Sequence, residues 1–340
     1  MSVWSLINEV EADIKDIAAT KFSYRQSKHI PSRNSTDLSF ERGVEKWGKE
    51  ICTCVLYADI RNSVQLQKNH NTQTLGRIYT AFTKSVLKAA KHHKGHVRNI
   101  IGDRVMVIFP EQECIKRAVN CAISINHIAN ELINSTFKGV NFKCGIGIDY
   151  GQMRVIKVGI DKRDGEKPEN RNLIWVGYPA NYASRLTDVA NKKIEEEFVQ
   201  VTYKPLNIGK FLRNIGQTNF PSTRPPTSLL DLLNKKEEPD YLDEKTITVK
   251  KSEFYNELSR HSLGSNELRF SKGIVVSHQE LKIDHKFPSI LVTEKVYKEF
   301  KKLNPKDKSV INNWWELIQK SIDEIQESVY GANLVWKKNE

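Results

Sequence analysis

Residues 51–60, ICTCVLYADI, are apolar at nearly every position until a carboxylate arrives at Asp59. A short run this rich in β-branched and aromatic side chains is a strand, and near-continuous apolar character means that both of its faces are covered. The chain must therefore build a layer on each side of this strand. Only the strand's tip can carry Asp59 to a place where it meets something other than core.

The flanking segments supply those layers. TLGRIYTAFTKSVLKAAKHH (74–93) sets Leu75, Ile78, Phe82, Val86 and Ala89 at helical spacing. VRNIIGDRVMVIFP (97–110) holds two strand-like runs split by Gly102-Asp103, a tight hairpin signal. CIKRAVNCAISINHIANELI (114–133) predicts a second helix, and FKCGIGIDYG (142–151) with RVIKVGI (154–160) a further strand pair. NLIWVG (172–177) is a short strand, and Pro179 then opens a helix through ANYASRLTDVAN. The order β-α-β-β-α-β predicts an α+β fold, a ferredoxin-like antiparallel sheet backed by helices.

Upstream, residues 3–19 predict an amphipathic helix through Trp4, Ile7, Ile14 and Ile17, followed by the polar arm FSYRQSKHIPSRNSTDLSFERG. Residues 1–45 are thus expected to be a helix and arm, and 46–340 one domain. A charged insertion at about 192–286 interrupts it, containing FPSTRPPTS and showing no clear periodicity outside short runs such as KGIVVSH. PSILVTEKVYKEF (288–300) resumes with a strand and a helix. A helix over VINNWWELIQKSIDEIQ and a last strand, NLVWKK, are expected to close the chain.

Charge and composition narrow the function. Apolar residues are 39% and charged residues 28%, an ordinary globular balance, and no segment approaches the roughly 18 apolar residues of a membrane span. The start, MSVWSLINEVEADIKD, has acids where an export signal has bases, so a cytoplasmic protein is expected. Five cysteines, in no metal or redox spacing, suit buried thiols in a reducing compartment. The net charge of +12 is spread along the chain and interleaved with acids, as in KKEEPDYLDEK. A ferredoxin-like sheet that binds RNA needs exposed aromatics on its central strands, and the first strand offers only Tyr57, so no nucleic-acid partner is expected. A basic surface equally suits small polyanions such as nucleoside triphosphates.

Four polar residues end otherwise apolar elements. Asp59 ends the first strand, Asp103 occupies the hairpin tip, and Asn181 and Arg185 share one helix face. In a ferredoxin-like sheet the first strand neighbours the hairpin, so the two aspartates can converge. Paired carboxylates without histidine suit a hard cation such as Mg²⁺, and two such ions can serve an in-line displacement at phosphorus. Arg185 would then hold charge building on the transferring phosphoryl group. Singly, each has a plainer role: helix cap, turn residue, helix cap, surface cation.

Taken in order, VLYADIRNS, RNIIGDRVMVIFP, CGIGIDYGQMRVIKVG and VGYPANYASRL resemble the successive motifs of the class III nucleotidyl cyclases. The resemblance covers about 50–190 and resumes at 288–300. It implies a cyclase homology domain with two divalent cations, Mg²⁺ or Mn²⁺, at positions matching Asp59, Ile60 and Asp103. It also implies an asparagine orienting the ribose, matching Asn181, and an arginine on the α-phosphate, matching Arg185. The implied enzyme is a homodimer in which one subunit supplies the aspartates and the other the Asn/Arg pair. Where the family has a Gly-Phe-Thr run gripping phosphate, this chain has Asn62-Ser63-Val64, whose backbone amides at a helix start can still cradle a triphosphate. Lys337 is the candidate for the family's late triphosphate lysine.

Family members using ATP read the base with a lysine and an aspartate, and those using GTP with a glutamate and a cysteine. The matching positions here are Asn99 and Ile174. Asn99 offers a donor and an acceptor, which suits a pyrimidine edge. Tyr57, on the same strand face as Asp59, would shorten the base pocket or else serve as a core aromatic. The arm and the long insertion are similar to those of the pyrimidine cyclases of the bacterial Pycsar antiphage systems. That likeness implies cCMP or cUMP synthesis on infection and a companion effector that responds to the product. The competing expectations are an adenylate or guanylate cyclase with unusual base-reading residues, and a catalytically silent cyclase-like module.

Overall fold

The computed structural model describes residues 2–41, 43–159, 170–210, 212, 239–261 and 268–337. The segment FPSTRPPTS lies outside them. The chain divides into two compact units, one of residues 1–192 with 286–340 and a second of residues 193–285.

The first unit is built on β2 (Lys46–Ile60), whose start lies five residues earlier than the sequence pattern indicated. After it come α2 (Ser63–Asn69), α3 (Thr72–His92), β3 (His96–Ile101), β4 (Arg104–Phe109) and α4 (Cys114–His127). A π turn at Ile128–Ile133 continues α4 into α5 (Asn134–Thr136). Then follow β5 (Cys144–Val158), β6 (Asn172–Val176) and α6 (Tyr178–Val189). The central strands lie in the order β5-β2-β4-β3, each antiparallel to its neighbour, which is the ferredoxin-like arrangement. The even positions of β2, Cys54, Leu56, Ala58 and Ile60, face a core completed by Ile78, Phe82 and Val86 of α3 and Val119 and Ala122 of α4. The odd positions Ile51 and Val55 face Met106, Ile108, Met153, Val155 and Ala183 of α6. Period-2 alternation on a strand covered twice explains why the sequence shows no polar side until Tyr57 and Asp59.

Cys144–Val158, within the stretch 142–160 expected as a strand pair, is instead one long strand that pairs with β2 from Lys49 to Ile60. Gly151 takes φ 155°, so it bends the strand where a turn was expected without ending it. The other end of the sheet also departs from expectation. β11 (Ile290–Thr293) lies parallel to β5 and leads into α8 (Glu294–Leu303), but the helix expected over 310–326 stops early, as α9 (Lys308–Ile311). Asn313 takes φ 51°, which turns the chain out of the helix. Trp315 is thereby buried, its indole donating to Ser309 Oγ at 3.1 Å. β12 (Glu316–Leu317) then pairs with β13 (Val329–Ala332), so the last strand precedes NLVWKK rather than coinciding with it.

At the amino end α1 (Val3–Ala19) buries no residue, and β1 (Phe22–Gln26) runs parallel to Lys46–Glu50. The arm beyond β1 returns over the α6 side of the sheet, where Leu38 is buried and Asp37 meets Lys49 at 2.5 Å.

The second unit is a four-stranded sheet in the order β8-β7-β10-β9, from β7 (Lys193–Pro205), β8 (Lys245–Lys250), β9 (Arg269–Phe270) and β10 (Gly273–Lys286). Val199, Val201 and Tyr203 pack with Phe254 and Leu258 of α7 (Lys251–His261) and with Phe270. Its strands escape a periodicity scan because charged side chains crowd them, as in the KIEEE that opens β7.

Candidate active site

Asp59 sits at the end of β2, paired across the ladder with Gly145, and its side chain falls on the α6 side with Tyr57. On the other edge β2 meets β4, and the β3–β4 turn places Asp103 directly before Arg104. Gly102, at φ 60°, makes that turn possible. The two carboxylates feel each other: Asp103 holds its proton more tightly than an ordinary aspartate, first because it is partly buried and then because Asp59 adds negative charge. Two crowded carboxylates on adjoining strand ends make a hard, oxygen-only donor set, the kind that Mg²⁺ or Mn²⁺ satisfies. The Ile60 side chain is apolar and buried, so only its carbonyl can join them. Among the described residues no group of three or more His, Cys, Asp or Glu side chains forms an alternative metal site.

Two arginines that the motif reading did not single out complete this cluster. Arg104 donates to Asp59 Oδ2 at 2.9 Å, to Asp188 Oδ1 at 2.5 Å and to Ser184 Oγ at 3.0 Å. Burial opposes its charge, but the bonds to Asp188 and Asp59 prevail and raise its pKa. Arg61, only 4% exposed, lies 3.4 Å from Asp59 Oδ2, and its pKa is lowered chiefly by burial. It also donates to the carbonyls of Thr187 and Ala190 at the end of α6. It thus satisfies last-turn carbonyls that have no partner inside the helix. One cation therefore ties the Asp59 strand to the helix that carries Asn181 and Arg185. Both arginines follow an aspartate in the motifs, as ADIR and GDR, and that adjacency was the available signal.

Why α6 can lie so close to β5 is written in CGIG. A Cβ on Gly147 would collide with the Ala183 carbonyl and Thr187, and one on Gly145 with Arg61 and the Ala190 carbonyl. Ala180, Ala183, Leu186 and Thr187 form the buried face of the helix. Asn181 and Arg185 lie on its exposed face, and Arg185 is paired in bidentate fashion with Glu324 at 2.9 and 2.7 Å. Within one chain, then, the aspartates face the arginine cluster while the Asn/Arg pair faces outward.

The base-reading candidates lie in a row. Tyr57 is opposite Met106 on β4, and Met106 is opposite Asn99 on β3, so all three share the α6 side of the sheet. Burial raises the Tyr57 phenol pKa, with Arg104 pulling the other way. Ile174 lies on β6 opposite Ile156, its side chain exposed. Asn62 precedes α2 at φ 55° without a side-chain cap bond, and Ser63 opens that helix. Lys337 lies past β13, next to Trp336, whose indole donates to Ser124 of α4 on the opposite side of the sheet from α6.

Comparison with known proteins places this geometry. The family profile described as the adenylate and guanylate cyclase catalytic domain matches residues 47–220. A uridylate cyclase of Burkholderia cepacia is 26% identical over 193 residues, covering 55% of this chain and 80% of that protein. A uridylate cyclase of Gulbenkiania mobilis is 28% identical over 214 residues, covering 59% and 78%. The crystal structure of the adenylyl cyclase CyaB from P. aeruginosa aligns over 83% of this chain and 94% of its own, at 13% identity and a TM-score of 0.43. Because the profile spans half of the chain and takes in Asp59, Asp103, Asn181 and Arg185, this protein belongs to the class III nucleotidyl cyclases.

Proposed function

We propose that the chain converts a pyrimidine nucleoside triphosphate, UTP or CTP, to its 3′,5′-cyclic monophosphate and pyrophosphate, at sites shared between two copies of itself. The observation that carries this reading is the convergence of Asp59 and Asp103 at adjoining strand ends, with the proton affinity of Asp103 raised by burial and by Asp59. The pyrimidine assignment is supported by Asn99 and Ile174 standing where purine-reading pairs are found, and by the uridylate cyclases among the relatives.

In this account Asp59, Asp103 and the Ile60 carbonyl hold two divalent cations. When bound, these lower the charge on the triphosphate and favour ionisation of the ribose 3′-hydroxyl. Asn181 orients the ribose, and Arg185 offers two parallel donors to the α-phosphate. The O3′–Pα bond forms as the bond from Pα to the β-phosphate oxygen breaks, the hydroxyl proton is released, and pyrophosphate leaves. The Asn62-Ser63 start of α2 contributes backbone amides to the phosphates. Arg185 is free to act because its pair with Glu324 is solvent-exposed, at 48% and 64%, and exposed pairs of this kind hold at most about 1 kcal/mol.

The exposed placement of Asn181 and Arg185, with the aspartates facing elsewhere in the same chain, supports a homodimer whose sites each draw on both copies. The likeness of the arm and insertion to the Pycsar cyclases supports a role in antiphage signalling, with a companion effector that binds the product. The direct test is stoichiometry. Purified protein with UTP or CTP and Mn²⁺ should yield cyclic nucleotide and pyrophosphate in equal amounts. Release of orthophosphate, or of pyrophosphate with a linear monophosphate, would exclude cyclisation.

A further inference from the structure

The polar arm between β1 and β2 takes no part in the metal, ribose or phosphate chemistry. Its residues reach a cavity of about 450 Å³ on the first unit. Arg33 and Asn34 of the arm, Arg98 and Asn99 of β3, and Asn172 and Leu173 of β6 line this cavity. The arm is pinned where it forms this wall. Arg33 Nε donates to Asn172 Oδ1 at 3.2 Å, and Lys157 Nζ donates to the Ser35 carbonyl at 3.2 Å. Arg98 donates to the Ile30 carbonyl at 3.5 Å, while its Nε is buried with no partner. Two features found separately in the sequence, the arm and the base-reading position Asn99, thus meet at one cavity of a size that holds a nucleoside.

The lining has a chemical bias. Arg33 and Arg98 are donors only, the three asparagines both donate and accept, and among the described residues no carboxylate lines the cavity. Uracil presents two carbonyl oxygens flanking a single N–H. Cytosine presents an amino group in place of one of those oxygens, and that group would meet a guanidinium donor with a donor. A site built from donors rejects a ligand that leaves them unpaired far more strongly than a merely apolar site does. We propose that the arm forms the base-reading wall of the nucleotide site, with Arg33 selecting uracil over cytosine while Asn34 and Asn99, which both donate and accept, hold the edge of either pyrimidine. This assignment rests on the pyrimidine cyclase reading and adds to it the residue that chooses between the two pyrimidines.

The test compares wild type with Arg33→Ala, Arg33→Lys and Asn172→Ala, measuring kcat/KM for UTP and for CTP and, separately, UTP and Mn²⁺ binding by calorimetry. Arg33 is exposed on the arm, so its replacement leaves the core intact. The expected result is a wild-type preference for UTP that falls about tenfold or more in Arg33→Ala, with CTP turnover nearly constant and Mn²⁺ affinity unchanged. Arg33→Lys should recover only part of the preference, because a lysine lacks the planar fork. Asn172→Ala removes a cavity-lining amide together with the anchor of Arg33, and should lower the preference part of the way. Equal losses for both nucleotides, or an unchanged UTP-to-CTP ratio, would overturn the assignment while leaving the cyclase reading in place. A wild type that cyclises only a purine triphosphate would show, before any variant is made, that the substrate reading and the uracil assignment both fail. If no nucleotide is turned over, UTP binding decides: a tenfold weakening in Arg33→Ala supports the wall, and undiminished binding overturns it.

Discussion

Asp103→Asn should abolish turnover, by a factor of at least about 10³, without weakening the fold at neutral pH. The second half of that expectation follows from the sign of the pKa shift. Burial and the charge of Asp59 raise the Asp103 pKa, so the native chain binds this proton more tightly than the unfolded chain does. Such a carboxyl contributes stability that is fully present below its unfolded pKa and is lost as pH rises through its folded pKa. At pH 7 the ionised Asp103 is therefore a net burden on the metal-free fold, and a neutral asparagine relieves it. Urea unfolding at pH 7 should give an equal or higher midpoint for the variant in the absence of cation. Added Mn²⁺ should stabilise wild type more than the variant, because a ligand stabilises only the state that binds it. A variant that stays active, or that unfolds much more readily in EDTA, would contradict the role given to Asp103. Asp59 is the less clean target, since its removal also strips partners from Arg61 and Arg104.

Recovery of activity on mixing two dead variants is the second large effect expected. Arg185→Ala removes an exposed side chain whose only ion pair is with exposed Glu324 among the described residues, so the fold should survive. If each site takes its aspartates from one copy and its Asn/Arg pair from the other, a mixed dimer of Asp103→Asn and Arg185→Ala carries one fully intact site and one doubly damaged site. Random exchange makes half of the dimers mixed, each with one working site of two, so about a quarter of wild-type activity should return. Each variant alone should remain inactive. Mixed dimers shown to form, but without activity, would mean that each chain assembles its whole site unaided.

Much of this architecture is legible in the sequence because it is local. The helical spacing of Ile78, Phe82 and Val86, the Gly102-Asp103 turn and Pro179 at a helix start each act within a few residues, and each specifies its element. Where the pattern misled, a non-local contact or a single backbone choice decided the outcome. Gly151 looks like a turn residue, but with β2 alongside for twelve ladder pairs it becomes a bend inside one strand. The stretch WWELIQKSIDEIQ has helical spacing, yet burying Trp315 beside Phe300 and Tyr297 outweighs it once Asn313 turns the chain. The site divides along the same line. Its carboxylates are visible because they end apolar runs. Arg61 and Arg104 acquire their partners only when β4 docks on β2 and α6 docks on Gly145 and Gly147, which no window of sequence displays.

Competition between nucleotides tests most directly whether this protein is a cyclase for pyrimidine nucleotides. Purified protein is incubated with ATP, GTP, CTP and UTP together at equal concentration with Mn²⁺, and the products are resolved by mass. The expected dominant product is cyclic pyrimidine monophosphate, with cUMP ahead of cCMP, and none from Asp103→Asn. Cyclic AMP or cyclic GMP as the main product would contradict it.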